Sequence, residues 1–290
     1  MTLKPGLMEE IGPAVNSGAA ILLYGPPGNG KSSIANAVCA AYQDYIFVPH
    51  ALVVDKQIIA LYDPTVHQRV DTAGAAGSGL RRETAFDHRF VAIKRPAVTT
   101  GGELTLDMLD LAYNPTGRVY EAPMQLKAAG GVFVIDDFGR QRFSPQEIIN
   151  RLIIPLENGH DYLSLQTGRK FQAPFDTLVC FSTNINPSEL VDEAALRRLR
   201  YKILVDSPDR DTFIRIFALT AQKSGLQLDE DTLAYVLMEL YPNQPGASFQ
   251  AFHPRFLIDQ TLAICTYKGI EPQFNREILK HAWRNLFAQA

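Results

Sequence analysis

An eight-residue loop at positions 25–32, Gly-Pro-Pro-Gly-Asn-Gly-Lys-Ser, constrains this sequence more than any other feature. It fits the pattern G-x-x-x-x-G-K-[ST], in which glycines allow several backbone N–H groups to converge on a phosphate. An apolar stretch at 19–24 precedes the loop and a helical pattern at 33–42 follows it. This is the strand–loop–helix context that the pattern requires, so the sequence predicts a nucleoside triphosphate site.

The residue types within the loop predict separate roles. Lys31 reaches the outer phosphates, the Ser32 hydroxyl ligates Mg²⁺, and the following helix presents the positive end of its dipole. The residues expected to hold the phosphates are those of the loop and its first neighbour, namely Gly25, Pro26, Pro27, Gly28, Asn29, Gly30, Lys31, Ser32 and Ser33.

Polar residues at the ends of two other apolar runs supply the rest of a predicted phosphate-transfer site. Asp136 and Asp137 follow the run Val132–Ile135, and Asn184 follows an apolar stretch at 177–182. Carboxyl ends of parallel strands lie at one edge of a sheet. We expect Asp136 to ligate Mg²⁺ there and Asp137 to polarise the attacking water. The neutral amide of Asn184 can hold that water or the γ-phosphate.

The order of elements predicts the fold class. Strands alternate with helices up to residue 206, and only helical patterns follow. We therefore predict an α/β protein with a three-layer P-loop domain and a mostly parallel sheet at 1–206, then a small all-α lid domain at 207–290. The Gly- and Ala-rich stretch at 71–87 predicts a mobile surface loop, with partner contact as an alternative role.

Composition restricts the class of binding partner and the cellular compartment that we expect for this protein. A net charge of −3 lacks the basic footprint of a nucleic-acid binder. The three cysteines lie in separate apolar segments without metal-ligand spacing, which predicts buried thiols in a reducing compartment. The sequence has neither a signal-peptide pattern nor an apolar run of membrane-spanning length, so a cytoplasmic protein is expected.

Arginines are candidates for stabilising charge on the γ-phosphate during phosphoryl transfer. Arg197 and Arg198 lie in a predicted helix before the last strand, and Arg255 follows a proline at the start of a later helix. A basic solvated face and a surface arginine are the alternatives, and spacing alone leaves them open.

Together these motifs resemble an AAA+ ATPase over almost the whole chain. Residues 129–140, Ala-Gly-Gly-Val-Phe-Val-Ile-Asp-Asp-Phe-Gly-Arg, resemble the Walker B region of MoxR-type members. The hairpin pattern at 162–173 resembles the pre-sensor-1 hairpin of the branch that also includes RuvB, Lon and ClpX. Residues 104–120 resemble the helix-2 insert of MoxR-like and enhancer-binding ATPases.

The resemblance implies ATP and Mg²⁺ as cofactors and assembly into a homo-oligomeric ring, usually a hexamer. It implies that Asn184 is the sensor-1 residue and that Arg255 is the sensor-2 arginine. Arg198 best matches the arginine finger, which completes the site of a neighbouring subunit, and Arg197 is the runner-up.

Two departures from the family pattern affect what the resemblance implies. The second Walker B acid is usually Glu, whereas Asp137 is one methylene shorter, so slow hydrolysis is an open alternative. Between 206 and 255 the sequence has no room for the extra helix of MoxR proteins.

Three functions are compatible with this sequence. The first is an ATP-driven remodeller or chaperone-like motor that acts on a protein client, directly or through an adaptor. The second is a RuvB-like nucleic-acid motor with basic hairpin tips at Arg169 and Lys170, against which the acidic balance argues. The third is a switch in which ATP holds a ring together with little hydrolysis.

The loop assignment makes the first testable prediction. Lys31→Ala should abolish ATP binding, because the variant lacks the cation that contacts the outer phosphates. Isothermal titration with ATP checks this, and binding at unchanged affinity would contradict the assignment.

Overall fold

The computed structural model describes residues 6–71 and 87–287; most of the predicted loop at 71–87 therefore lies outside the described residues. The strands are β1 (Ile21–Tyr24), β2 (Tyr45–Pro49), β3 (Ala51–Val54), β4 (Gln57–Ala60), β5 (Phe90–Lys94), β6 (Ala97–Thr100), β7 (Ala112–Asn114), β8 (Val119–Glu121), β9 (Val132–Ile135), β10 (His160–Ser164), β11 (Lys170–Pro174), β12 (Leu178–Thr183) and β13 (Tyr201–Leu204). The helices are α1 (Leu7–Ser17), α2 (Lys31–Ala41), α3 (Met124–Lys127), α4 (Pro145–Asn158), α5 (Pro187–Leu190), α6 (Glu193–Arg198), α7 (Arg210–Lys223), α8 (Glu230–Tyr235), α9 (His253–Lys268) and α10 (Arg276–Leu286).

The described residues fall into two compact units. The sheet unit contains residues 10–24 and the described part of 31–204. The helical unit contains residues 6–9, Gly25–Gly30 and 205–287. The loop at 25–32, called the phosphate loop below, therefore begins in the helical unit and ends in the sheet unit.

A five-stranded parallel sheet in the order β13-β1-β12-β9-β6 forms the centre of the sheet unit. Every residue of β9 and β12 is buried, as expected for parallel strands that are covered on both faces. Side chains alternate between the faces. Phe133 and Phe181 pack with α4, whereas α2 contacts the same two strands and brings Cys39 near Cys180 on the opposite face. The result is the predicted three-layer arrangement.

The central sheet confirms the predicted parallel arrangement, and the other described strands form smaller, separate sheets. Strand β2 pairs antiparallel with β5 in a two-stranded ribbon. The hairpins β3–β4 and β7–β8 form another sheet in the order β3-β4-β8-β7, and β10 pairs with β11. Local sequence pattern specifies a strand, whereas its partner depends on tertiary packing.

Residues at each end of α4 fix where this helix begins and ends. Ser144 accepts a hydrogen bond from the Glu147 backbone N–H, and the Glu147 side chain accepts from the Ser144 backbone N–H, forming a capping box. Gly159 ends the helix in the left-handed conformation, at φ 69°. Both ends of α4 are therefore set by residues in or next to the helix.

The helical unit packs α7, α8, α9 and α10 around an aromatic core. Its central hydrogen bond joins the Tyr241 hydroxyl to Nδ1 of His253, at 2.6 Å. The ring of Trp283, the chain's only tryptophan, lies 4.7 Å from that of Tyr241. Burial raises the pKa of Tyr241 and lowers the pKa of His253 to about 4, so Tyr241 donates to a neutral imidazole.

The three cysteines are free thiols, and burial raises the pKa of Cys39 to about 11 and that of Cys180 to about 12. Among the described residues, no helix combines the length and the apolar character needed to cross a membrane.

The pKa of His253 predicts a loss of stability in mild acid. The unfolded chain takes up a proton near pH 6.5, whereas the folded protein does so only near pH 4. Stability from the neutral imidazole is therefore complete above pH 6.5 and falls as the pH is lowered towards 4, by roughly 3 kcal/mol. Urea unfolding followed by Trp283 fluorescence measures this. His253→Gln should show a shallower dependence, and an unchanged slope would contradict the prediction.

Candidate active site

The sheet order brings the ends of β1, β12 and β9 together at one edge. Tyr24, which precedes the phosphate loop, is paired with Thr183 at the end of β12, and Phe181 is paired with Ile135 at the end of β9. Because β12 lies between the other two strands, Asn184 follows the middle strand of the three. The predicted polar residues therefore emerge from neighbouring strands.

Ser32 and Asp136, the two residues predicted to bind Mg²⁺, are joined by a direct hydrogen bond. The Ser32 hydroxyl donates to Oδ2 of Asp136 over 2.7 Å. The two residues are 104 positions apart in the sequence. They provide a hydroxyl and a carboxylate oxygen, which are ligands suited to Mg²⁺.

Lys31 lies within electrostatic range of both acids. Burial lowers the pKa of its ammonium group, while the charges of Asp136 and Asp137 raise it in partial opposition. A cation that has lost part of its hydration and faces two carboxylates is suited to a phosphate accompanied by a divalent cation.

Asp137 occupies a left-handed backbone conformation, with φ 49°. Its N–H donates to Oδ1 of Asp136 over 3.0 Å, and its own side chain is exposed. Asp and Asn are the residues other than glycine that adopt this conformation most readily. The backbone at position 137 therefore favours Asp, which gives a structural reason for the shorter acid.

Residues that the sequence analysis did not identify hold the Asp136–Gly139 turn in place. The amide of buried Gln141 donates to the Asp136 carbonyl over 3.1 Å and to the Gly101 carbonyl over 3.2 Å. Its Oε1 accepts from the Gly139 N–H over 2.9 Å. A polar residue shortly after the acidic pair is the only sequence signal for this role.

The same turn is tied to the end of β12 beside Asn184. Phe138 donates its N–H to the Ser182 carbonyl over 2.7 Å, and the Thr183 hydroxyl donates to the Phe138 carbonyl over 2.6 Å. Asn184 itself is half-buried. These bonds fix the strand end that carries Asn184 next to the turn that carries the two acids.

The two candidate finger residues form ion pairs within the sheet unit. Arg197 pairs with Glu193 one helical turn away, at 2.6 Å, and both side chains are largely exposed. Arg198 is half-buried, with Nε 2.8 Å from Glu157 and a second nitrogen donating to the Ala194 carbonyl over 2.8 Å.

Arg255 and the loop segment Gly25–Gly30 belong to the helical unit, whereas Ser33, exposed on α2, belongs to the sheet unit. Arg255 lies in the first turn of α9, exposed and paired with Asp259 at 2.7 Å. Within the Gly25–Gly30 segment, Asn29 is buried and its side chain is hydrogen-bonded to Ser207 and to the backbone of Ala251.

The described residues contain no group of three or more His, Cys, Asp or Glu side chains placed to hold a metal ion. The predicted Mg²⁺ ligands of the protein are only Ser32 and Asp136, and phosphate oxygens and water commonly complete such a site.

Two family models match parts of the chain. Residues 21–77 match the ATPase family associated with various cellular activities (AAA). Residues 209–285 match a domain of unknown function (DUF8689). No curated protein matches the sequence.

Solved AAA+ structures are similar to this chain over its whole length. NtrX from Brucella abortus in complex with ATP matches with a TM-score of 0.55 and 13% identity, covering 100% of this chain and 58% of that one. A variant of RuvB from Thermotoga maritima matches with a TM-score of 0.55 and 12% identity, covering 99% of this chain and 71% of that one.

These similarities show the fold, an α/β P-loop domain of AAA+ type with a helical C-terminal region. This chain spans only 58% of the NtrX chain. The narrower likeness to MoxR-type proteins stays a prediction.

The hydrogen bonds of Gln141 generate a prediction about turnover. Gln141→Ala should lower ATP turnover about tenfold, because the turn that carries the two acids loses two hydrogen bonds and its link to the Gly101 carbonyl. The dissociation constant for ATP should change by less than about threefold. Steady-state assays and titration separate these effects, with Arg142→Ala, an exposed neighbour, as control. Equal losses of binding and turnover would contradict a positioning role.

Proposed function

We propose that this chain is an AAA+ ATPase that binds and hydrolyses ATP as a subunit of a homo-oligomeric ring and remodels a protein partner. The hydrogen bond between Ser32 and Asp136 carries the proposal, because it joins the phosphate loop to the acidic strand end. Such an arrangement is suited to phosphoryl transfer, which depends on positioning and on charge stabilisation.

Binding of the triphosphate is assigned to the loop at 25–32 and to Lys31. Backbone N–H groups of the loop and the N-terminus of α2 would bind the phosphate oxygens. Lys31, buried and close to both carboxylates, would contact the outer phosphates.

Ser32 and Asp136 fit a Mg²⁺ ion because both offer oxygen ligands and already lie within hydrogen-bonding distance of each other. When bound, the ion would neutralise part of the phosphate charge. Asp137 would accept a proton from the attacking water, and Asn184 would orient that water or the γ-phosphate.

The arginine finger is assigned to Arg198, with Arg197 as the runner-up, acting on the site of a neighbouring subunit. The two arginines differ in how readily they could leave their present ion pairs. An exposed pair such as Arg197–Glu193 contributes only about 0.5 kcal/mol and separates easily. Arg198 would have to exchange its pairing with Glu157 for the γ-phosphate. Arg255 is proposed as the sensor-2 residue of a lid domain at 207–290, after a nucleotide-binding domain at 1–206.

A protein partner is favoured over nucleic acid by charge. The net charge is −3. At the tip of the β10–β11 hairpin, Nε of Arg169 lies 3.7 Å from Oδ2 of Asp55, and this carboxylate offsets the positive charge of the arginine. We assign client or adaptor contact to the hairpin loops.

A mixing experiment tests hydrolysis and ring assembly together. Asp137→Asn and Arg198→Ala should each bind ATP but lose turnover, the first through its own site and the second through its neighbour's. In an equimolar mixture, about a quarter of interfaces would combine an intact site with an intact finger. Turnover should therefore reappear on mixing. Steady-state assays over a range of protein concentrations, with particle size measured in parallel, provide the measurement.

Each alternative gives a different result. Mixed rings that stay inactive would reject Arg198 as the finger, and the same mixture with Arg197→Ala then tests the runner-up. A wild-type protein that assembles with ATP but does not hydrolyse it would be a switch. Turnover that rises with DNA at low salt would indicate a nucleic-acid motor.

A further inference from the structure

The side chain of Asn29, in the middle of the phosphate loop, is hydrogen-bonded to residues of the helical unit. Its Nδ2 donates to the Ser207 hydroxyl over 3.2 Å and lies 3.5 Å from the Pro26 carbonyl. Its Oδ1 accepts from the Ala251 N–H over 3.2 Å. A backbone N–H can only donate, so the partner at Ala251 fixes which end of the amide is oxygen. Only 7% of the residue is exposed.

Phe252 makes a second link to the same loop. Its N–H donates to the Gly28 carbonyl over 3.0 Å. Gly28 has φ +76°, and a Cβ added there would overlap Cδ1 of Phe252, so the ring lies directly against the loop backbone. Consecutive N–H groups, from Ala251 and Phe252, therefore bind consecutive loop residues.

An unbroken series of contacts continues from Phe252 into the aromatic core. The Phe252 ring lies 4.6 Å from the ring of His253, the first residue of α9. His253 is hydrogen-bonded to Tyr241 over 2.6 Å, and the Tyr241 ring lies 4.7 Å from Trp283. Side chains packed at interior density transmit a displacement to their neighbours.

From this geometry we infer that Asn29 and Phe252 are positioning residues that couple occupancy of the phosphate loop to the start of α9 and to the aromatic core. Phosphate is bound by backbone N–H groups of the loop. The Asn29 side chain holds the backbone of that loop against the segment before α9. A change in the loop backbone on nucleotide binding moves Ala251 and Phe252, and with them the helix that carries Arg255.

The link itself can be tested without nucleotide. Asn29→Ala should speed hydrogen exchange about tenfold in peptides covering 249–255, because the Ala251 N–H loses its acceptor. Ser207→Ala leaves that acceptor in place and should have a smaller effect. Asn36→Ala, an exposed asparagine on α2, serves as the matched control. Unchanged exchange in Asn29→Ala would overturn the inference.

The coupling to nucleotide rests on the proposed function and is read from Trp283. ATP should change Trp283 emission in the wild-type protein at the same midpoint as binding measured by calorimetry. At saturating ATP, Asn29→Ala and Phe252→Leu should each lose more than half of this change. Phe252→Leu should do so with a dissociation constant altered by less than about threefold. Phe252→Tyr keeps the ring and should retain the signal.

The outcomes separate the two proposals. Calorimetric binding without any emission change in the wild-type protein, or a full emission change in Asn29→Ala, would overturn the coupling and leave the proposed function standing. No binding of ATP by the wild-type protein would overturn both the proposed function and the coupling, whereas the exchange experiment would still decide whether the link exists.

Discussion

The parallel pairing of β12 between β1 and β9 is the constraint on which the candidate site depends. Each strand contributes one polar segment at its carboxyl end, and the registers Tyr24–Thr183 and Phe181–Ile135 align these ends. The pairing is stabilised by burial on both faces, with α4 on one and α2 on the other. A core of this kind holds residues more than a hundred positions apart within hydrogen-bonding distance, as for Ser32 and Asp136.

Partial burial and mutual electrostatic interaction govern the charged groups at this edge of the sheet. Lys31 has lost hydration, which lowers its pKa, and the two aspartates oppose that effect. Desolvation makes the ammonium interact more strongly with an incoming anion than an exposed lysine would. The acids themselves are oriented by main-chain bonds and by Gln141. The site therefore combines charges supplied by a few side chains with a backbone turn that neighbouring segments hold in place.

Local signals in the sequence account for the ends of individual elements, but not for their partners. The capping box at Ser144 and the glycine at 159 set both ends of α4, and they act within a few residues. Such signals do not choose a strand's partner: β2 joins an antiparallel ribbon outside the central sheet. Gln141 was missed for a related reason, since its role depends on carbonyls at Gly101 and Asp136 that the fold brings to it.

The sequence by itself determined the phosphate loop, the acidic pair after β9 and the change from alternating strands and helices to helices alone. These features are contiguous, and their chemistry follows from residue type and spacing. Only the tertiary structure decided which strands are neighbours, that Arg198 is paired with Glu157, and that the Asn29 side chain is directed to Ser207 and Ala251. Those contacts join distant segments, and their partners depend on how the chain packs as a whole.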